Sequence, residues 1–180
     1  MKQKHFNHIP VSKLDVNDVS YYKAIDWNKI EDSVDHATWL KLVEQFWLDT
    51  RVPVSNDLDD WRQLTDNERD VINKAFVGLT LLDTLQSEEG ANVMRDDVRT
   101  QQEEAVLNNM LFMESVHAKS YSTIFISLNN NKEIENIFEW GNNNKTIQYK
   151  AERINEVYQN GSDLQKKVAS VFLESFLFYS

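Results

Sequence analysis

The chain of 180 residues carries only 4 glycines and 2 prolines, and both prolines, Pro10 and Pro53, come early. Proline interrupts a helix by removing a donor and crowding the preceding turn, and glycine weakens one. Beyond Pro53 the backbone is therefore free to run in long helices. Three stretches open with a helix-start signal. Thr65-Asp66-Asn67-Glu68 is a capping-box pattern, followed by apolar residues at Ile72, Ala75, Phe76, Leu79 and Leu82, the spacing of one buried face. Thr100-Gln101-Gln102-Glu103 repeats the pattern ahead of a stripe at Leu107, Met110, Glu114, His117, Tyr121, Ile124 and Leu128. Ser162-Asp163-Leu164-Gln165, just after Gly161, opens a third helix that continues through VASVFLESFLFYS. That run is apolar nearly all round, which predicts burial on most sides. Asn129 to Asn131 and Asn142 to Asn144 read as turns, with helices around Ile134 to Trp140 and Ile147 to Tyr158. A further helix is expected around His36 to Trp47. No strand-like alternation, internal repeat or domain linker is present, so the chain reads as an all-α bundle.

The net charge of −10 and pI near 4.8 argue against unaided binding to nucleic acid or anionic membrane, both of which require clustered Lys and Arg. There is no cysteine, so thiolate metal sites, disulfides and Cys nucleophiles are excluded, and any metal must be held by carboxylate and imidazole. The opening MKQKHFNHIPVSKLD has no apolar signal region and no run of 18 apolar residues follows, which implies a soluble, cytoplasmic protein.

Polar groups interrupt the helical faces at four places. Asp83 falls four residues after Leu79 and eleven after Ile72. Glu114 and His117 form a Glu-x-x-His within the second stripe, and Glu174 sits inside FLESFLF. An ionised carboxylate buried alone is costly, so each needs a partner. Residues three apart share a helix face, so Glu114 and His117 can address one metal together. Single carboxylates from two helices plus Glu-x-x-His pairs from two others are the donor set of ferritin-like di-iron and di-manganese bundles. Blander readings exist. A lone Glu-x-x-His is common, Asp83 can bond a backbone group, Glu174 can pair with Lys166 or Lys167, and Tyr121 can be a core tyrosine with its hydroxyl satisfied. Against them stands the coincidence of four such groups on separate long helices.

Three segments carry a resemblance: FVGLTLLDTLQ at 76–86, EEAVLNNMLFMESVHAKSYS at 103–122 and ASVFLESFLFYS at 169–180. AIDWN at 24–28 and FWLDTRVPVSN at 46–56 extend it upstream. Together they resemble the small (beta) subunits of class I ribonucleoside-diphosphate reductases, most closely class Ib. The resemblance implies a ferritin-like fold and two Fe or two Mn ions per complete subunit, serving reduction of ribonucleotides to deoxyribonucleotides for DNA synthesis. By position it implies that Asp83, Glu114 and His117 ligate the first metal and Glu174 the second, with Glu114 bridging. It implies that Tyr121 becomes the stable tyrosyl radical, that Phe178 belongs to the apolar pocket shielding it, and that Trp47 carries oxidising equivalents toward the large (alpha) subunit. The implied partners are that large subunit, a second copy in a homodimer, and an activating flavoprotein.

The family's second Glu-x-x-His does not occur within the 180 residues, nor does the acidic partner of Trp47. The expectation is one ferritin-like domain, incomplete toward its C-terminal end, with 1–64 an N-terminal segment and first helix and 65–180 the metal-site helices. Residues 1–180 alone are not expected to assemble a functional di-metal centre. An inactive fragment or split-subunit half associating with another reductase chain is the alternative. Another ferritin-like carboxylate oxidase would share the four ligands but has no use for Tyr121. Metal storage explains neither Tyr121 nor Trp47.

Overall fold

The computed structural model describes residues 24–179. Pro10, the N-terminal stretch read above for targeting signals, and Ser180 lie outside the described residues. Among those described there is helix and no strand. The helices are α1 (Ser33–Glu44), α2 (Leu58–Gln63), α3 (Asp66–Leu85), α4 (Ala91–Met94), α5 (Gln101–Leu128), α6 (Asn131–Asn143), α7 (Lys145–Asn160) and α8 (Asp163–Ser175). Short 3-10 turns lie at Asp49–Arg51, Val54–Asp57, Arg95–Asp97 and Leu177–Tyr179, and a π-helical turn spans Gln86–Gly90. No helix among the described residues is long and apolar enough to cross a membrane.

The start signals act as their chemistry requires. Thr65 accepts from the Glu68 amide while Glu68 accepts from the Thr65 amide, and Ser162 with Gln165 forms the same reciprocal pair. Thr100 also caps α5 through the Glu103 amide, but Glu103 reaches back to the amide and guanidinium of Arg99 instead of to Thr100. The box at Thr100 is therefore only half formed, because a neighbouring cation competes for the carboxylate. Asn130 completes a further capping box with Glu133 at α6, and Asn144 caps α7, so both Asn clusters are helix junctions.

Three expectations change. On α3, Ala75 is exposed, and the fully buried positions are Asn73, Val77, Thr80, Leu82 and Asp83. Asn73 is tolerated inside because its amide exchanges two hydrogen bonds with that of Asn129. The helix after Gly161 is not buried on most sides. It stops at Ser175, where Phe176 leaves helical geometry, and Leu164, Val168, Val171, Phe172 and Phe176 face outward. Finally, α1 ends at Glu44, so Trp47 lies in the link beyond it.

α3 and α5 pack along each other and carry the other elements. Leu82, Ile154, Tyr158, Ala169 and Leu173 join α3, α7 and α8 in one core cluster, and Ala91, Met94 and Leu107 seat α4 on α5 in another. Phe125, completely buried, meets Phe76 and Phe138 edge-on, which ties α5 to α3 and α6. These contacts pack α3 along α5 and join α8 to α3 through α7.

Candidate metal centre

Asp83 stands in the last turn of α3, Glu114 and His117 stand one turn apart mid-way along α5, and Glu174 stands in the last turn of α8. One ligand atom from each of Asp83, Glu114 and His117 lies within 4.8 Å of the others, and His117 Nδ1 is 3.0 Å from Glu114 Oε2. Asp83 and Glu114 are buried, and His117 is half-buried. Burial first, then the charge of Glu114, pushes the Asp83 carboxyl up to about 7, with His117 opposing. Burial, then Glu114 and Asp83, pushes Glu174 up to about 8. His117 is raised, chiefly by its hydrogen bond to Glu114. Asp83 and Glu174 therefore sit in a poorly solvated space where neither ionises cheaply beside the charge of Glu114, and one imidazole offsets part of that charge.

Glu174 is the sharpest observation. Its Oε1 is buried without a hydrogen-bond partner, although the charges of Glu114 and Asp83 reach it. The lysines on its own helix do not answer it, since Lys167 pairs with Asp97 at 3.0 Å and Glu103 at 3.5 Å across the junction with α5. A buried acceptor facing two carboxylates and an imidazole suits a cation.

Around this cluster, Trp47 stacks on the His117 ring at 5.5 Å between centroids, with 26° between planes. Tyr121, one turn past His117, packs its ring on Phe76 at 5.5 Å. Burial and then Asp83 push its phenol up to about 12. Phe178 lies in the Leu177–Tyr179 turn and packs on the cluster around Leu82 and Leu173. From that turn it is Tyr179 whose charge reaches Tyr121.

Four residues beside the site have little or no signal in the sequence. Phe76 was visible only as part of an apolar stripe. Tyr158, completely buried, donates to Gln86 Oε1 at 2.6 Å, and Gln86 Nε2 donates to Ser170 Oγ at 2.7 Å. Their one local signal is polarity at positions that the helical period turns inward.

The family model described as ribonucleotide reductase, small chain, matches residues 24–180. The chain belongs to the ribonucleotide reductase small-chain family. It is 48% identical over 162 residues to ribonucleoside-diphosphate reductase 2 subunit beta of Escherichia coli strain K12, covering 90% of this chain and 51% of that protein. It is 49% identical over 157 residues to the subunit beta nrdF1 of Mycobacterium tuberculosis, covering 87% and 49%. The dimanganese(II)-NrdF of Streptococcus sanguinis superimposes with a TM-score of 0.87 at 66% identity, covering 88% of this chain and 56% of that one. The R2 subunit of Clostridium botulinum gives a TM-score of 0.77 at 26% identity, covering 87% and 51%. The chain thus spans about half the length of the curated relatives it matches. Its fold is the ferritin-like helical bundle of ribonucleotide reductase small chains.

Proposed function

We propose that these residues form part of the di-metal, radical-storing subunit of a ribonucleoside-diphosphate reductase, with the metal-site helices drawn from residues 65–180. The observation that carries this reading is the convergence of Asp83, Glu114 and His117, with half-buried Glu174 close enough to feel their charges and one of its oxygens buried without a hydrogen-bond partner. Oxygen and imidazole donors with no thiolate fit two Fe or two Mn ions, and the dimanganese state named for the Streptococcus sanguinis relative lends weight to such a pair. Asp83, Glu114 and His117 would hold one ion and Glu174 the second, with Glu114 shared. When bound, and once oxidised by oxygen or an oxygen-derived oxidant, the ions would supply the one-electron oxidising power that side chains alone lack.

The remaining roles belong to this chain's own side chains. Tyr121 stores the oxidised state as a radical. At neutral pH its half-buried phenol keeps its proton, so losing an electron requires losing the phenolic proton as well. Asp83 is the carboxylate whose charge Tyr121 feels most, which makes it the candidate acceptor for that proton. Phe76 walls one side of the Tyr121 ring, and Phe178 belongs to the dry surroundings that keep water and reductants away. Trp47, half-buried on the His117 ring, links the centre to the surface where the large subunit docks. A homodimeric small subunit, the large subunit and an activating flavoprotein complete the proposed assembly, in the cytoplasm, without nucleic acid or membrane.

Two measurements test this. Anaerobic titration with Mn(II) or Fe(II), with Asp83→Asn as control, is expected to show binding that depends on Asp83, and binding unaffected by that change would overturn the ligand assignment. In the subunit carrying these residues, activated with metal, Tyr121→Phe is expected to abolish the radical signal in electron paramagnetic resonance while metal content stays. An unchanged signal would remove Tyr121 from its role.

A further inference from the structure

Gln86 follows Asp83 by three residues, at the point where α3 passes into the π-helical turn Gln86–Gly90. It is 1% exposed. Its amide is used at both ends, Nε2 donating to Ser170 Oγ on α8 at 2.7 Å and Oε1 accepting from the Tyr158 hydroxyl on α7 at 2.6 Å. The Ser170 hydroxyl also acts on the Tyr158 phenol, lowering its proton affinity, so side chains from three helices meet in a ring centred on the Gln86 amide. Ser170 precedes Glu174 by one turn, as Asp83 precedes Gln86. The ring is thus the polar link between α3 and α8 that lies one turn from each of the two single carboxylates.

The backbone around Gln86 is shaped for its amide. A Cβ placed on Gly90 would stand 2.1 Å from Gln86 Oε1 and 2.6 Å from Cδ. The π turn, wider than an α turn, brings Gly90 beneath Gln86, and only a residue without a side chain leaves the amide in place. An apolar side chain at 86 would fill a similar volume with less desolvation, so the buried amide is the costlier choice for packing alone.

We propose that Gln86 is a positioning residue of the metal centre. Through Ser170 and Tyr158 its amide sets the separation of α3 and α8, and so the distance between the carboxylates of Asp83 and Glu174. The inference rests on the proposed metal centre for its purpose but not for its geometry. Hydrogen bonds impose directions and lengths that apolar packing does not, so the ring holds the two carboxylates at a spacing suited to a cation before any cation arrives.

The test compares the 180-residue chain with its Gln86→Leu and Gly90→Ala variants, Gly90→Ala leaving the glutamine present but displacing its amide. The absence of native cysteine allows spin labels to be placed cleanly at Val71 on α3 and Val171 on α8, both exposed. Double electron–electron resonance on the metal-free protein reads the α3–α8 distance distribution. Co(II) titration reads affinity and, at saturation, the visible ligand-field spectrum. The expected result is a shifted or broadened distance distribution in both variants. Alongside it come about tenfold weaker Co(II) binding and an altered saturated spectrum, which destabilisation that spares the ligand geometry would leave unchanged. Distributions identical to the parent in both variants overturn the positioning role, as does unchanged Co(II) affinity with an unchanged spectrum. If the parent chain binds no Co(II), the four donors in these residues do not hold an ion by themselves, and the distance distributions alone decide whether Gln86 holds the two helices. Should a Gln86→Leu chain fail to fold, Gly90→Ala together with Tyr158→Phe gives the same readouts.

Discussion

Asp83 and Glu174 are held in the folded chain with their carboxyl groups raised to about 7 and about 8 from ordinary values of 3.8 and 4.5. Between the unfolded and folded values the native state binds more protons than the unfolded chain, so stability falls as pH rises through that window. The metal-free protein is therefore expected to be more stable at pH 5 than at pH 8, the loss being complete only above about 8. Urea midpoints across that range, in parent and Glu174→Gln, check this: the variant should show a flatter profile, and an identical slope would mean that Glu174 does not titrate as placed. Metal binding must displace the same protons, so Mn(II) affinity should rise over the same interval. His117 is also raised, through Glu114, and its loss of charge as pH increases adds to the destabilisation at the alkaline end. At Trp47, Trp47→Ala removes the ring stacked on His117. His117 ring protons, read by NMR, should lose an upfield ring-current shift, whereas metal affinity should change less than in Asp83→Asn.

Among elements, α3 and α6 approach each other closely at Gly141. A Cβ at Gly141 would come within 2.8 Å of Val77 Cγ2 and 3.1 Å of Cγ1, both branches of one stiff, buried side chain. Gly141→Ala gains helix propensity but must separate α6 from α3, and a net loss of about 1–3 kcal/mol is expected in chemical denaturation. The capping box at Thr65 governs entry into α3, and Thr65→Ala is expected to cost about 1 kcal/mol. Thr100 also accepts only one capping amide, but its hydroxyl donates to Asp35 of α1 at 3.1 Å. Arg99 binds Asp32 and Asp35 beside it, so this second cap is also a joint between α1 and α5. Thr100→Ala should therefore loosen α1, visible as faster amide exchange over Ser33–Glu44, where Thr65→Ala leaves that helix alone.

For the whole molecule, the outward face of α8 decides behaviour in solution. Val168, Val171, Phe172, Phe176 and Tyr179 form an apolar stripe that no described element covers. Patches of this kind on a monomer lead to association. Light scattering should show an apparent mass that grows with protein concentration, and Val171→Lys with Phe172→Lys should suppress the growth without changing helix content. A concentration-independent mass for the parent would mean that the stripe is not adhesive.

Much of this protein was legible in the order of its residues. Helix starts at Thr65, Thr100 and Ser162, and junctions at both Asn clusters, follow from contacts within four residues, and local chemistry determines those wherever the chain goes. The residue types of the candidate metal set were equally legible as polar interruptions, because a carboxylate or imidazole on an apolar stripe stands out by period alone. Other features needed the assembled bundle. Asn73 is inside and Ala75 outside because Asn129, fifty-six residues away, supplies an amide partner. The face of α8 judged buried is bare because burial depends on what neighbouring helices cover, and amphipathic period says nothing of neighbours. Trp47 lies on His117, Glu174 has an oxygen without a partner, and Gln86 spans three helices. Each of these depends on side chains far apart in the chain arriving within a few ångströms of one another. Short-range spacing specifies which groups a helix offers, and packing decides which of them meet.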